Sequence, residues 1–92
     1  AMSAAEIQSF LDAKIGACEN GKCLNVLQTG VSSRDAWVSQ ATGQLVCSAI
    51  RGGTMPVSEL IYRVQVACGI SAKAILVILQ KEQGLTTSSA PS

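Results

Sequence analysis

Four cysteines in a chain of 92 residues are the feature that most limits how this sequence can fold. An even number of cysteines in a small, weakly charged chain is typical of a disulfide framework, and such frameworks form in oxidising compartments. Three pairings are possible. Cys18 and Cys23 bracket an Asn20-Gly21 turn that brings their sulfur atoms together, which leaves Cys47 to pair with Cys68. The sequence therefore predicts two disulfides, the second closing a loop of about 22 residues.

Two other interpretations of the cysteines stay open at this point. Four reduced cysteines would suit a cytosolic helical interaction domain. A zinc site would need C-x-x-C spacing or histidine ligands, and the sequence has neither. The lack of histidine also excludes Ser-His and Cys-His catalysis, so we expect no metal and no cofactor.

The composition indicates a packed domain rather than a disordered chain. Apolar residues make up 48% of the sequence and charged residues 14%. The net charge of +1 argues against a nucleic-acid-binding surface. The longest unbroken apolar run, residues 74–79, is far shorter than the ~20 residues that cross a bilayer, so no membrane span is expected.

Hydrophobic periodicity predicts an all-α fold, a small bundle of about four helices stapled by the two disulfides. The predicted helices cover about residues 3–15, 33–50, 56–68 and 72–83, with a loop over residues 24–31. A capping box at Ser3 and Glu6 supports the first helix, whereas Gly43 weakens the second. We expect one domain over residues 1–85 and a disordered tail or linker over residues 86–92. An apolar face left exposed on so small a bundle would be covered by self-association.

Glu82 is the candidate catalytic residue. On a helical wheel started at Ile75, Leu79 lies at about 40°, Ile78 at about 300° and Glu82 at about 340°. This places Glu82 on the midline of the predicted apolar face, in the last helical turn, where the helix dipole disfavours a second negative charge. Both surroundings favour the neutral carboxyl group that a general acid needs to protonate a glycosidic oxygen. The alternative is an ordinary helix-end glutamate that points into water.

Trp37 is the candidate for contact with a sugar, because an aromatic ring stacks well on the apolar face of a pyranose. The alternative is core packing, where a small domain usually places a single tryptophan. Tyr62 is predicted at the edge of the core. Five scattered cationic side chains are predicted to be solvated at the surface: Arg34, Arg51, Arg63, Lys73 and Lys81.

Residues 71–85, Ser-Ala-Lys-Ala-Ile-Leu-Val-Ile-Leu-Gln-Lys-Glu-Gln-Gly-Leu, resemble the catalytic-helix segment of lysozyme-like lytic transglycosylases. In that family an aliphatic helix ends in a polar residue, the catalytic Glu, a small or polar residue and Gly. Most of the chain, including residues 3–11 and the placement of the cysteines, is similar to secreted actinobacterial cell-wall domains.

The resemblance implies a helical, lysozyme-like fold and a secreted or cell-wall-associated protein that binds the glycan strands of peptidoglycan. It also implies that Glu82 is the general acid/base for cleavage between N-acetylmuramic acid and N-acetylglucosamine. Gln83 stands where the family usually has Ser and is a further candidate for glycan contact. The family's Gly-rich and Tyr-containing cleft motifs lie downstream of the matching segment, so the chain is expected to be one lobe, the amino-terminal part of such a domain. The alternative is a non-catalytic secreted helical module that binds a partner.

Overall fold

Three helices and two small sheets make up the computed structural model of this chain, which describes residues 1–91. The elements are α1 (Ala4–Ile15), β1 (Gln28–Val31), β2 (Trp37–Val38), β3 (Leu45–Cys47), β4 (Gly53–Pro56), α2 (Val57–Cys68) and α3 (Ala72–Gln83). Strand β1 pairs antiparallel with β4, and β2 pairs antiparallel with β3. An isolated bridge between Arg34 and Ile50 lies between the two sheets, so residues 28–56 form one long β-arm.

The helices pack through aliphatic side chains, as the periodicity predicts. One core cluster unites buried residues of all three helices with Cys23: Ile7, Leu11, Ile15, Val57, Ile61, Ala72 and Leu76. The predicted capping box is confirmed, because the Glu6 N–H donates to the Ser3 hydroxyl and the Ser3 N–H donates to the Glu6 carboxylate. These backbone and side-chain hydrogen bonds with Ser3 hold the pKa of Glu6 below its ordinary value. Helix α2 begins at Val57, one residue later than predicted.

The predicted all-α bundle is wrong, because the predicted helix over residues 33–50 is absent and the fold is α+β. Residues 28–31, predicted as loop, form β1. Trp37 pairs with Cys47 and Val38 with Leu45 across a turn in which Gly43 has a φ of 73° and donates to the Ser39 carbonyl. A positive φ suits glycine and interrupts a helix, so the turn divides the predicted helix into two strands.

The two predicted disulfides are confirmed, Cys18 with Cys23 and Cys47 with Cys68. The second bond attaches strand β3 to the end of α2, next to a hydrogen bond of 2.8 Å from the Ser48 N–H to the Ala67 carbonyl. A small domain with two disulfides is consistent with an extracellular location. None of the helices within residues 1–91 is long and apolar enough to cross a membrane.

Residues 86–91 lie against the loop of the first disulfide. The Glu19 N–H donates to the Ser89 carbonyl at 2.7 Å, and the Asn20 side-chain amide donates to the Pro91 carbonyl at 2.7 Å. Thr86 is buried. Ser92, the last residue of the predicted tail, lies outside the described residues.

A buried glutamine links the segments around the helical core. The side-chain oxygen of Gln65 accepts hydrogen bonds from the N–H groups of Met2, at 3.3 Å, and Ala72, at 2.9 Å. Its side-chain nitrogen donates to the Met2 carbonyl at 2.8 Å. Gln65 in α2 therefore holds both the segment before α1 and the first residue of α3.

We expect Gln65→Leu to lower the free energy of unfolding by about 1–3 kcal/mol, because leucine leaves the Ala72 N–H buried without a partner. Urea unfolding followed by circular dichroism measures the change. Gln83→Leu, the same exchange at an exposed position of α3, is the matched control and should change the free energy by no more than about 0.5 kcal/mol. Equal losses in the two variants would contradict this role of Gln65.

At Gly52 the β-arm leaves no room for a side chain. A Cβ atom on Gly52 would overlap the Val31 carbonyl oxygen and the backbone nitrogen of Ser33. The Gly52 N–H donates to the Ser33 hydroxyl at 2.8 Å, which keeps the two edges of the arm in contact.

Gly52→Ala should destabilise the protein by about 1–3 kcal/mol, because the added methyl group meets backbone that must move. Gly30→Ala is the control, since a Cβ atom there meets open space. Urea unfolding followed by circular dichroism compares the two alanine variants. The close approach would be disproved by a Gly52→Ala variant that is as stable as Gly30→Ala.

Candidate functional site

Helix α3 carries Glu82, but the helix is turned differently from the predicted wheel. Its buried side consists of Ala72 and Leu76, flanked by the half-buried Ile75 and Leu79. The centre of this side lies about 70° from Glu82 on the wheel. Ile78, predicted to face the core, has 58% of its surface exposed. Glu82 therefore lies beside the buried face and not on its midline.

The carboxylate of Glu82 faces solvent at the end of α3. Within residues 1–91 it forms no hydrogen bond and no ion pair, and Gln83 beside it is also exposed. The helix stops directly afterwards, because Gly84 adopts the left-handed conformation and its N–H donates to the Gln80 carbonyl at 2.8 Å. Helix α3 thus presents an unpaired carboxylate at its end, but the dry surroundings that the wheel predicted are not provided by the described residues.

Trp37 is exposed, so the interpretation of this residue as a core tryptophan is wrong. The side chain is 63% exposed at the edge of a hollow of about 430 Å³ between the β-arm and α2. The Cys47–Cys68 disulfide and Val64 line it together with Arg34, Asp35 and Ser48. We call it the Trp37 hollow.

The Trp37 hollow owes its shape to the β-arm. Strand β2 pairs with β3, and the disulfide from β3 to α2 fixes the distance between the arm and the helix. An aromatic ring beside both a cationic and an anionic side chain is a combination that can stack on a sugar ring and hydrogen-bond its hydroxyl groups. Arg34, Asp35 and Trp37, which lie within four residues of one another in the sequence, are the sequence signal for this site.

The candidate residues do not come together in one site. Neither Glu82 nor Gln83 lines the Trp37 hollow. Three residues separate the end of α2 from the start of α3, which rises about 15 Å from Ala72 to Glu82. Across the part of the chain that the structure describes, no group of three or more His, Cys, Asp or Glu side chains is placed to hold a metal ion.

The structure shows the surroundings of two further residues of α2, Tyr62 and Arg63. Tyr62, predicted at the core edge, lies on the exposed side of α2. Arg63, predicted as a solvated cation, forms an ion pair of 2.7 Å with Glu59 and donates to the Arg51 carbonyl at 2.8 Å. Arg63 therefore connects α2 to the arm.

Comparison of this chain with protein-family models, with curated proteins and with solved structures found no match.

Trp37→Ala should change the free energy of unfolding by less than about 1 kcal/mol, because the side chain buries little surface. Ile61→Ala, at a buried position of α2, is the contrasting variant and should cost about 2–5 kcal/mol. Urea unfolding followed by circular dichroism compares the two. In the unaltered protein, acrylamide should quench the fluorescence of Trp37 readily. A loss of several kcal/mol in Trp37→Ala, or strong protection from acrylamide, would contradict the exposed position.

Proposed function

We propose that this chain is a secreted or cell-wall-associated domain that acts on the glycan strands of peptidoglycan, with Glu82 as general acid/base. The observation that carries the proposal is the unpaired carboxylate of Glu82 in the last turn of α3, two residues before the Gly84 stop. This arrangement agrees with the resemblance of residues 71–85 to the catalytic helix of lysozyme-like lytic transglycosylases. The two disulfides support the extracellular part of the proposal.

In the proposed reaction, the Glu82 carboxyl group donates its proton to the oxygen between N-acetylmuramic acid and N-acetylglucosamine as the glycosidic bond breaks. The resulting carboxylate then takes the proton of the muramic acid's own hydroxyl group, whose oxygen closes an anhydro ring. The proton lost in the first step is regained in the second. Because the sugar supplies the attacking oxygen, one carboxylate is sufficient.

The exposed side chain of Ile78 offers an apolar surface next to this carboxylate, which a bound ligand or partner would cover during the reaction. It lies one helical turn before Glu82 on the same side of α3 and is among the most exposed large hydrophobic side chains. A glycan strand or the second lobe implied by the resemblance would cover Ile78 and exclude water from Glu82 together. Such cover would create the dry surroundings that favour a proton-donating carboxyl group.

A second candidate function is non-catalytic binding of glycan through the Trp37 hollow. The exposure of Trp37 beside Arg34 and Asp35 favours it. The two functions are compatible, since the Trp37 hollow and Glu82 lie at different places on the domain.

Cleavage is tested by incubating purified peptidoglycan with the protein and with Glu82→Gln, followed by mass spectrometry of the soluble products. We expect anhydro-muropeptides from the unaltered protein and a rate roughly 10²–10⁴-fold lower from Glu82→Gln, because a general acid contributes about that much. Glu19→Gln is the matched control, since Glu19 is an exposed glutamate elsewhere on the domain, and it should keep full activity.

Binding is tested in the same samples by co-sedimentation of the protein with insoluble peptidoglycan. If no products form but the protein sediments, and Trp37→Ala abolishes sedimentation, the catalytic proposal is wrong and the binding module remains. If neither products nor sedimentation are observed, both functions are wrong. Equal activity of Glu82→Gln and the unaltered protein would exclude Glu82 as the general acid.

A further inference from the structure

A second hollow of about 430 Å³ lies between α1, α3 and the segment that follows α3. We call it the α1–α3 hollow. Its wall is mostly hydrocarbon, from residues that include Met2, Phe10, Leu76 and Val77. Its volume lies in the range of sites for small molecules, which are also mostly apolar with a few polar groups.

The uncharged polar groups of this wall are already paired with one another. The side-chain oxygen of Gln80 accepts a hydrogen bond from the Thr86 hydroxyl at 2.6 Å and another from the Thr86 N–H at 3.2 Å. The Gln80 side-chain nitrogen donates to the Thr87 hydroxyl at 3.2 Å. A ligand that fills the hollow therefore contacts mainly hydrocarbon, and the uncharged polar groups of the wall need no hydrogen bond from it.

The charged groups of the wall are two lysines. Lys14 comes from the last turn of α1 and Lys73 from the first turn of α3, and the wall includes no acidic side chain. The Lys14 ammonium lies 5.8 Å from the centre of the Phe10 ring, at the wall of the hollow. Within residues 1–91 neither lysine forms an ion pair. The rim of an apolar hollow is thus cationic, which complements a ligand with one hydrocarbon chain and a negative head group.

We propose that the α1–α3 hollow binds a medium-chain fatty carboxylate, with the hydrocarbon chain against Phe10, Leu76 and Val77 and the carboxylate paired with Lys14 and Lys73. This site is separate from the proposed catalytic residue. On the wheel of α3, Val77 lies about 140° from Glu82, so the two side chains occupy different sides of the helix.

Isothermal titration calorimetry of the 92-residue protein with dodecanoate, kept below its micelle concentration, tests this proposal. We expect saturable binding of one dodecanoate per chain, and roughly tenfold weaker binding of decanoate, because two fewer methylene groups are buried. Dodecyl maltoside, with the same chain but no charge, should bind more weakly than dodecanoate. Vesicles of anionic phospholipid should not bind the protein, because the site takes a single free chain rather than a membrane surface.

Two matched pairs of variants locate the site. Val77→Asp places a charge in the wall of the hollow and should abolish dodecanoate binding, whereas Val66→Asp, at an exposed valine of α2 outside the hollow, should not. Replacing both Lys14 and Lys73 by Gln should weaken binding roughly tenfold, because two exposed ion pairs are lost. The same double exchange at Lys22 and Lys81 should have no effect. All four positions are exposed, and circular dichroism verifies that each variant keeps the fold.

Three results would overturn the proposal: no saturable binding of dodecanoate, equal binding by Val77→Asp and Val66→Asp, or equal binding of dodecanoate and dodecyl maltoside. Binding to vesicles with no binding of free dodecanoate would show a membrane-surface site instead. Sedimentation velocity tests whether a second copy of the chain fills the hollow. If the protein is a dimer that Val77→Asp converts to a monomer, a second copy of the chain and not a fatty carboxylate fills the hollow.

Discussion

The hydrogen bonds of the Gln65 side chain fix how the three helices are placed. Apolar packing among residues such as Ile7, Leu11 and Ile61 is strong but non-directional, so it tolerates small shifts of one helix along another. A buried amide is different, because its oxygen and nitrogen must both find partners. Gln65 finds them on Met2 and Ala72 only when the start of the chain and the start of α3 lie together at α2. The direction and rotation of α3 depend on this arrangement, and with them the positions of Val77 and Glu82 on its surface.

The β-arm is held by other means, because it contributes little to the core. Most of its large apolar side chains, such as Leu45 at 60% exposure, lie at the surface. The arm is instead attached by the disulfide from Cys47 to Cys68, by the close approach at Gly52, and by Arg63 on the Arg51 carbonyl. A covalent bond and a few directed contacts thus allow Trp37 to stay exposed without loss of the local fold. The side chain of Trp37 can stay at the surface because the stability of the arm does not require its burial.

The sequence predicts the three helices well because their signals are local. Ser3 with Glu6 begins α1, and the glycines at 69 and 84 adopt the left-handed conformation that ends α2 and α3. The β-arm is missed because strand pairing is non-local, and the apolar residues between 38 and 49 fit a helical spacing as well as a strand pair. Gly43 was the available signal. The wheel places Glu82 imperfectly because residues 74–79 are all apolar, so periodicity cannot choose which of them faces the core. Contact through Ala72 and Leu76 makes that choice.

An uninterrupted apolar run on α3 also explains why this helix has more than one exposed apolar side. A helix turns about 100° per residue, so six consecutive apolar side chains cover its whole circumference, whereas the core of this domain covers only one side. Two apolar side chains that the core does not cover are Ile78, one turn before Glu82, and Val77, which lines the α1–α3 hollow. Val77 is 53% exposed. Exposed aliphatic groups of this size favour covering by a ligand or a partner. Because the two sides point in different directions, one flat ligand cannot cover both. Their chemistry differs accordingly, with an unpaired carboxylate beside Ile78 and unpaired ammonium groups around Val77.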